Sequence, residues 1–168
     1  MYYTDTSKIT AKLTGTALAT LIKASDTKEV KNIHQDTWTI EESEPSQDSY
    51  RNQLTGSIYR MGTKTMGDVT FNWTIGQYDY PTKAEFLGGV ATAKSWERPR
   101  GIVEIHKALI ALTADDQYCV LPNANIAARE ANTDGAVGIG VVGTAMEPEN
   151  ENVASEYWFD SSEVVSGS

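Results

Sequence analysis

The sequence predicts a mainly β protein, an antiparallel β-sandwich or barrel with one short flanking α-helix. About eight short β-compatible runs are separated by turn signals, a pattern typical of sandwiches and barrels. The clearest run is 68–76, in which Val69, Phe71, Trp73 and Ile75 alternate with polar residues. Since successive strand side chains point to opposite faces, this run predicts a strand with one buried face.

A short helix is predicted immediately after this strand, over residues 82–87. Pro81 excludes a strand interior, and Thr82 with Glu85 has the spacing of a capping box, in which each side chain satisfies the other's backbone N–H. Gly88 and Gly89 follow, and paired glycines favour the left-handed termination of a helix.

The chain before the central strand is less uniform. Alternating apolar residues predict a strand over 8–14, and residues 30–40 also have strand character. Residues 16–23 fit both helical spacing and extended structure, so the pattern leaves this segment undecided.

Residues 41–53 are polar and rich in acids, which predicts a protruding loop or the solvated tip of a hairpin. Alternation resumes over 54–60, and 61–67 turns back toward the central strand. We therefore expect 54–60 and 68–76 to pair as an antiparallel hairpin.

After the helix, residues 91–99 read as a loop containing Trp96, and residues 136–146 as a strand that follows a strong turn signal at 132–135. The intervening strands are predicted at 102–113, 118–121 and 126–130, with Pro122 separating the last two. Residues 147–168 form an acidic C-terminal tail that is interrupted by the aromatic residues 157–159.

Bulk properties favour one soluble domain spanning residues 1–168. The 168 residues contain no apolar run near the roughly 20 needed to cross a bilayer, and no secretory signal, so we expect synthesis in the cytoplasm and no membrane partner.

Cys119 is the one cysteine, which excludes an internal disulfide. The net charge of −9, with 14 scattered basic residues, argues against sequence-specific nucleic-acid binding.

No catalytic, cofactor-binding or metal-ligating residues are predicted, and no cofactor. Residues 138–143 match G-x-G-x-x-G, but they lie inside a predicted strand and no helix follows, so we reject a dinucleotide site. His34 and His106 are placed on separate strands without metal-site spacing. Cys119 is interpreted as a small core residue, and the acids Glu41, Glu42 and Glu44 as parts of a solvated loop.

The order of these elements resembles that of the major tail tube proteins of long-tailed bacteriophages and the related tube-forming secretion proteins of the Hcp type. The resemblance covers roughly residues 30–146. It rests on the outward polar loop at 41–53, the strand at 67–76, the helix at 82–87, and the segments at 108–116, 121–124 and 138–142.

The resemblance implies a non-enzymatic virion protein of a phage or prophage tail, made in the bacterial cytoplasm. Subunits would join their sheets edge to edge into hexameric rings that stack into a hollow tube, contacting each other and other tail proteins while DNA passes through. By analogy, the loop at 41–53 would reach the neighbouring ring, and an acidic lumen would repel phosphates. Residues 157–159 are either an anchor on a neighbour or a frayed end.

Two other functions stay open from the sequence. One is a monomeric or dimeric β-sandwich that binds carbohydrate or protein, with Trp96 or Trp158 exposed in a groove. The other is an enzyme whose site is assembled from distant loops.

Overall fold

The computed structural model of the protein describes residues 1–165 and confirms the predicted class. The fold is mainly antiparallel β, consistent with a β-sandwich, and it includes two α-helices. The helices are α1 (Gly15–Lys23) and α2 (Tyr80–Leu87). The strands of the described range are β1 (Tyr2–Thr4), β2 (Lys28–Glu29), β3 (Thr39–Glu42), β4 (Ser46–Arg51), β5 (Ile58–Thr65), β6 (Val69–Ile75), β7 (Val90–Ala91), β8 (Trp96–Glu97), β9 (His106–Leu112), β10 (Gln117–Thr133), β11 (Ala136–Ala145) and β12 (Tyr157–Asp160).

Eight strands form the main sheet, in the order β2-β1-β9-β10-β11-β6-β3, with β12 paired to the first part of β10. Every pair in it is antiparallel. Two small hairpins, β4–β5 and β7–β8, lie outside this sheet. Among residues 1–165, no helix is long and apolar enough to span a bilayer.

The sheet buries apolar residues on both faces. Leu109 and Ala111 of β9 belong to one core, and the alternate residues Ala108 and Ile110 belong to the other. The first core is covered by α2 through Phe86, whereas the second is covered by α1 through its buried Leu18 and Ala19.

The undecided segment 16–23 is helical. Helix α1 begins after Thr14, whose hydroxyl accepts a hydrogen bond from the Ala17 N–H at 3.2 Å. Its apolar residues at helical spacing place Leu18 against the core, which favours the helix over extended structure.

Helix α2 is confirmed, but its predicted start is wrong. Asp79 is the N-cap, since its carboxylate accepts from the Thr82 N–H at 2.8 Å, and Pro81 occupies the first turn. Glu85 forms ion pairs with lysines instead of completing a capping box. The helix ends at Gly88 and Gly89, whose φ angles are +70° and +92°, as the sequence predicted.

Two predicted strands near the N-terminus are wrong. Segment 8–14 is irregular after a 3₁₀ turn, although Ile9 and Leu13 are buried, because the chain packs these residues beneath α1 without a strand partner. In 30–40 the positive φ angles of Asn32 and Asp36 interrupt the extension, so only the part from Thr39 belongs to a strand.

The strand pairing around the polar loop also differs from the prediction. Central strand β6 is confirmed, but it pairs with β3 and β11, and β5 pairs with β4. The run at 102–113 becomes a strand only from His106, and the predicted loop at 91–99 contains the end of β7 and all of β8.

Segments 118–121 and 126–130 belong to one strand, β10, because a register shift between Leu121 and Ala124 accommodates Pro122. At this shift β10 changes one neighbour, from β12 to β11.

Candidate assembly surfaces

Four strands form a sheet region that is covered on one face only. Strands β3, β6 and β11 and residues 124–133 of β10 direct Ile40, Phe71, Val141 and Ile126 toward the first core. The opposite face, which we call the open face, carries Thr39, Glu41, Thr70, Asn72, Thr74, Asn125, Ala127, Arg129, Gly140, Val142 and Thr144. Apart from Glu41 and Arg129, these side chains are short and uncharged, and all are exposed or partly exposed.

Both edges of this four-stranded region are free within residues 1–165. On one side, β3 pairs only with β6. On the other, β9 accompanies β10 as far as Asn125, and the Ile126 N–H donates to the Ile105 carbonyl at 2.8 Å. From 127 to 133, β10 pairs with β11 alone. Free edges present backbone donors and acceptors that a further strand can satisfy.

The two free edges run in opposite directions. Because β10, β11, β6 and β3 are successively antiparallel, the first and fourth strands point in opposite senses. A second copy can therefore place its β3 beside β10 and continue the antiparallel pattern.

Strands β4 and β5 form a hairpin that projects from the body, here called the projecting hairpin (46–65). Within residues 1–165 its strands pair only with each other, and the predicted loop at 41–53 consists of the end of β3, a connection and β4. At 3.3 Å per residue, the eight residues of β5 span about 26 Å. Every residue of both strands is exposed except Gly62, which is partly exposed.

The projecting hairpin exposes apolar side chains and carries a charge opposite to that of the whole chain. Its large exposed apolar residues are Tyr50, Leu54, Ile58, Tyr59 and Met61. Three basic residues and one acidic residue give it a charge of +2. Since the net charge of the whole chain is −9, the residues outside the hairpin carry −11. The hairpin thus complements the acidic surface of the rest of the chain.

Residues 157–159, the aromatic segment of the tail, belong to strand β12 of the chain's own sheet. The segment is therefore neither a frayed end nor an anchor on a neighbouring subunit, the two alternatives that the sequence left open. Tyr157 and Phe159 stack with ring centroids 6.0 Å apart and pack against the core beneath α1. Trp158 points away and is 46% exposed. Residues 166–168 of the predicted acidic tail lie outside the described range.

The two histidines occupy separate sites. His34 lies outside any strand with its Nε2 3.6 Å from Asp134 Oδ2, whereas His106 lies in β9 and contacts Asn123 Oδ1 through its Nδ1 at 3.2 Å. The described part of the chain contains no group of three or more His, Cys, Asp or Glu placed to hold a metal ion.

A surface cleft of about 460 Å³ is lined by residues that include Ser7, His106 and Glu149. His106 is bonded to Asn123, and within residues 1–165 it forms no hydrogen bond with Ser7 or Glu149. Among the described residues, Ser7 and His106 therefore do not form the hydrogen bond that joins a nucleophile to its base.

Cys119 is fully buried in the first core, as its interpretation as a core residue predicted. Burial, followed by the nearby Glu156 carboxylate, raises the pKa of the Cys119 thiol to about 12. The thiol is therefore neutral and unreactive at ordinary pH.

The glycine motif at 138–143 lies inside β11, where the sequence placed it. A Cβ on Gly138 would lie 2.6 Å from the Ile75 carbonyl oxygen, and one on Gly143 would lie 2.5 Å from Leu109 Cδ1. Close packing between neighbouring chain segments accounts for these two glycines.

The structure also places the acids of segment 41–44 and Trp96. Glu41 and Glu42 belong to β3, and Glu44 lies exposed between β3 and β4. Trp96 donates its indole N–H to the Gly88 carbonyl at 2.9 Å, and the Lys83 ammonium lies 4.2 Å from its ring centroid. Its aromatic surface is therefore already engaged by its own chain.

The unpartnered surfaces described above are the open face, its two free edges and the projecting hairpin. They combine exposed backbone groups, exposed apolar side chains and complementary charge. No protein-family model matches the chain, and no curated protein matches it in sequence.

Proposed function

We propose that the protein is a structural subunit of a bacteriophage or prophage tail, and that it assembles into stacked rings forming a hollow tube through which DNA passes. The observation that carries this proposal is the four-stranded region with two free edges of opposite direction. The resemblance in element order to tail tube proteins supports the same function. In this proposal the chain is made in the bacterial cytoplasm, ends in the virion, contacts other tail proteins, and performs no catalysis.

Ring formation follows from the two edges. Each copy contributes four strands, and the edge at β3 of one copy pairs with the edge at β10 of the next. Such a head-to-tail contact closes into a ring when the rotation between copies divides a full turn without a shift along the axis, and closure leaves neither of these two edges free. A closed β-barrel is the result.

The open face is the surface that lines the tube in this arrangement. The opposite face is covered by the core and α2 of the same chain, so it must point outward. The lining then consists of short hydroxyl, amide and small apolar side chains with one acid, Glu41, and one base, Arg129. The formal charge of this lining is zero, so the wall of the proposed tube is neutral, whereas the resemblance implies an acidic lumen. A wall without a row of cations offers DNA phosphates no site for tight binding.

The projecting hairpin is the element that we assign to contacts between rings. An isolated two-stranded hairpin is marginally stable in water, and this hairpin exposes several large apolar residues. Its charge of +2 favours docking on the acidic body of a copy in the next ring.

Sedimentation velocity across a concentration series tests this proposal. The wild type should form species that grow with concentration. A variant in which residues 46–65 are replaced by a short Gly-Ser turn should keep its fold but stop at single rings or smaller species. The replacement is feasible because the Ser43 N–H donates to the Asp68 carbonyl at 3.0 Å, which holds the hairpin's base together.

Two matched variants separate specific docking of the projecting hairpin from nonspecific hydrophobic association. The double substitution Ile58→Ser with Tyr59→Ser should shorten the assemblies, whereas Val90→Ser, which changes a 70% exposed residue on the body, should leave them unchanged. A wild type that stays monomeric at every concentration would contradict the proposal.

A further inference from the structure

We infer that adjacent copies are joined by an ion pair between Glu41 on β3 of one copy and Arg129 on β10 of the next, directly opposite each other in one antiparallel ladder. The inference rests on the proposed ring and identifies its seam. The partner is a second copy of this chain, and the contact fixes which residues of the two edges face each other.

The charges at the two edges are complementary and lie on the same face. Glu41 and Arg129 are the charged residues of the open face, and each stands on a strand that borders it. Directly opposed side chains on one face of an antiparallel pair are close enough to interact, and opposite charges stabilise such pairs. Edge pairing therefore brings the two side chains together at the seam.

Both side chains are available for this contact. Arg129 is exposed and forms no ion pair or hydrogen bond with the part of the chain that the structure describes. Glu41 receives one long hydrogen bond, from the Thr39 hydroxyl at 3.5 Å. Three strand spacings of about 4.8 Å separate β3 from β10 within one copy, so the pair must form between copies.

The pairing sets a specific register. Thr39, Asn72, Val142 and Ala127 lie in one row across the four strands of a copy. Placing Glu41 of the next copy opposite Arg129 puts its Ser43 opposite Ala127. The row thus advances from residue 39 to residue 43 as it crosses four strands.

This advance has a magnitude that is compatible with a closed barrel. Four residues of shear for four strands is a ratio of one, the same ratio as in the eight-stranded barrel of shear eight, whose strands tilt by about 36°. The ratio does not depend on the number of copies in the ring. The charge pair and the barrel geometry therefore point independently to the same register.

An equal advance in the other sense is blocked within the chain. It would place Thr39 of the next copy opposite Asn123, in the part of β10 that β9 already accompanies. The free part of β10 begins only after Ile126, whose N–H is bonded to Ile105. In the inferred register, by contrast, Thr39 and Ser43 oppose the small residues Ala131 and Ala127.

Disulfide cross-linking tests the register directly. A chain carrying Glu41→Cys and Arg129→Cys, oxidised with oxidised glutathione, should give a ladder of covalent oligomers on a non-reducing gel, ending at the closed ring. A matched chain carrying Glu41→Cys and Ala127→Cys should give little product, because an offset of two residues takes the Cα atoms beyond the 4.4–6.8 Å range of disulfides. The native Cys119 is fully buried and does not compete.

Charge reversal tests the ion pair. Arg129→Glu and Glu41→Arg should each raise the concentration needed for assembly by about tenfold, since each replaces an attraction at every seam with a repulsion. The two substitutions combined in one chain should restore wild-type assembly to within about twofold. Unchanged melting temperatures would establish that the single variants fold normally.

The outcomes distinguish this inference from the proposed function. If the wild type forms tubes but the chain carrying Glu41→Cys and Arg129→Cys gives no covalent ladder, the inferred seam is overturned. The proposed tube is not affected by that result. Single charge-reversal variants that assemble as the wild type does would have the same meaning. A wild-type chain that remains monomeric, together with no ladder, would overturn both.

Discussion

The Nζ atom of Lys83 lies 2.7 Å from Oε1 of Glu130, and this ion pair joins α2 to the free part of β10. The Lys83 side chain is only 8% exposed, and its ammonium also lies 4.2 Å from the Trp96 ring centroid and 5.4 Å from that of Tyr78. Burial by itself lowers the pKa of Lys83, but Glu130 and Tyr78 outweigh it, and the pKa lies above its ordinary value. The lysine therefore stays charged and anchors the helix beside the proposed seam.

Shortening Lys83 should destabilise the protein in two separable steps. Lys83→Met keeps the apolar stem but removes both the ion pair with Glu130 and the cation–π contacts, so we expect the free energy of unfolding to fall by about 1 kcal/mol. Lys83→Ala also removes the buried stem, with an expected loss of about 2–3 kcal/mol. Urea denaturation measures both, with the exposed Lys12→Ala as a control that should stay within about 0.5 kcal/mol. Equal losses for Met and Ala would contradict the role of the stem.

Acid should weaken the protein partly through Glu85. Its carboxylate binds Lys28 at 2.6 Å and Lys107 at 2.8 Å, while Lys107 also binds Asp5 at 2.8 Å. Burial raises the pKa of Glu85, but the two lysines outweigh it and hold the pKa below its ordinary value of 4.5. A lowered carboxyl pKa gives stability that is complete above the unfolded value and is lost as the pH falls through that value and then the folded one.

Glu85→Gln is the variant that isolates this contribution. At pH 7 it should lower the free energy of unfolding by about 1–2 kcal/mol, because hydrogen bonds to a charged group are lost. The difference from the wild type should shrink as the pH falls below 4.5, and denaturant titrations over a pH series measure it. A difference that is constant with pH would show that the Glu85 charge is not involved.

The thiol of Cys119 should react only when the protein unfolds. Its side chain is fully buried and its pKa is raised to about 12, so both access and thiolate formation are suppressed. Iodoacetamide labelling followed by mass spectrometry should find no adduct in native buffer at pH 8 and a single adduct in denaturant. Rapid labelling of the native protein would contradict the placement of β10 in the core.

The glycines of the 138–143 motif should differ sharply in their tolerance of alanine. Gly138→Ala places a Cβ 2.6 Å from the Ile75 carbonyl oxygen, which is backbone, so we expect a loss of about 1–3 kcal/mol. Gly140→Ala meets nothing closer than 3.5 Å, from Ala131 Cβ, and should be tolerated. Thermal denaturation of the two variants measures the contrast. A harmless Gly138→Ala would mean that β6 and β11 are not packed as described.

The best sequence predictions concern elements with one buried face. Strand β6 alternates Phe71, Trp73 and Ile75 with polar residues because one face lies on the core and the other is open. The same alternation misled in 8–14, where Ile9 and Leu13 are buried but the backbone has no strand partner. Apolar periodicity reports which side chains are buried, and it does not report backbone pairing.

The candidate assembly surfaces were largely hidden from sequence reasoning. The projecting hairpin has no buried face, so the sequence indicated a polar loop or hairpin tip at 41–53 and a strand at 54–60, but not the pairing of β4 with β5. The continuity of β10 through Pro122 depends on a register shift that no local pattern predicts. The free edges, and with them the opposition of Glu41 and Arg129, emerge only from the order of strands that are distant in sequence.

Negative-stain electron microscopy of the purified protein, over a range of concentrations, would show whether the protein assembles into tubes. The four-stranded region with two oppositely directed edges predicts rings and hollow tubes whose walls repeat along the axis, and the variant lacking residues 46–65 should form no long tubes. Particles of single chains at every concentration would contradict the assignment of this protein as a tube subunit.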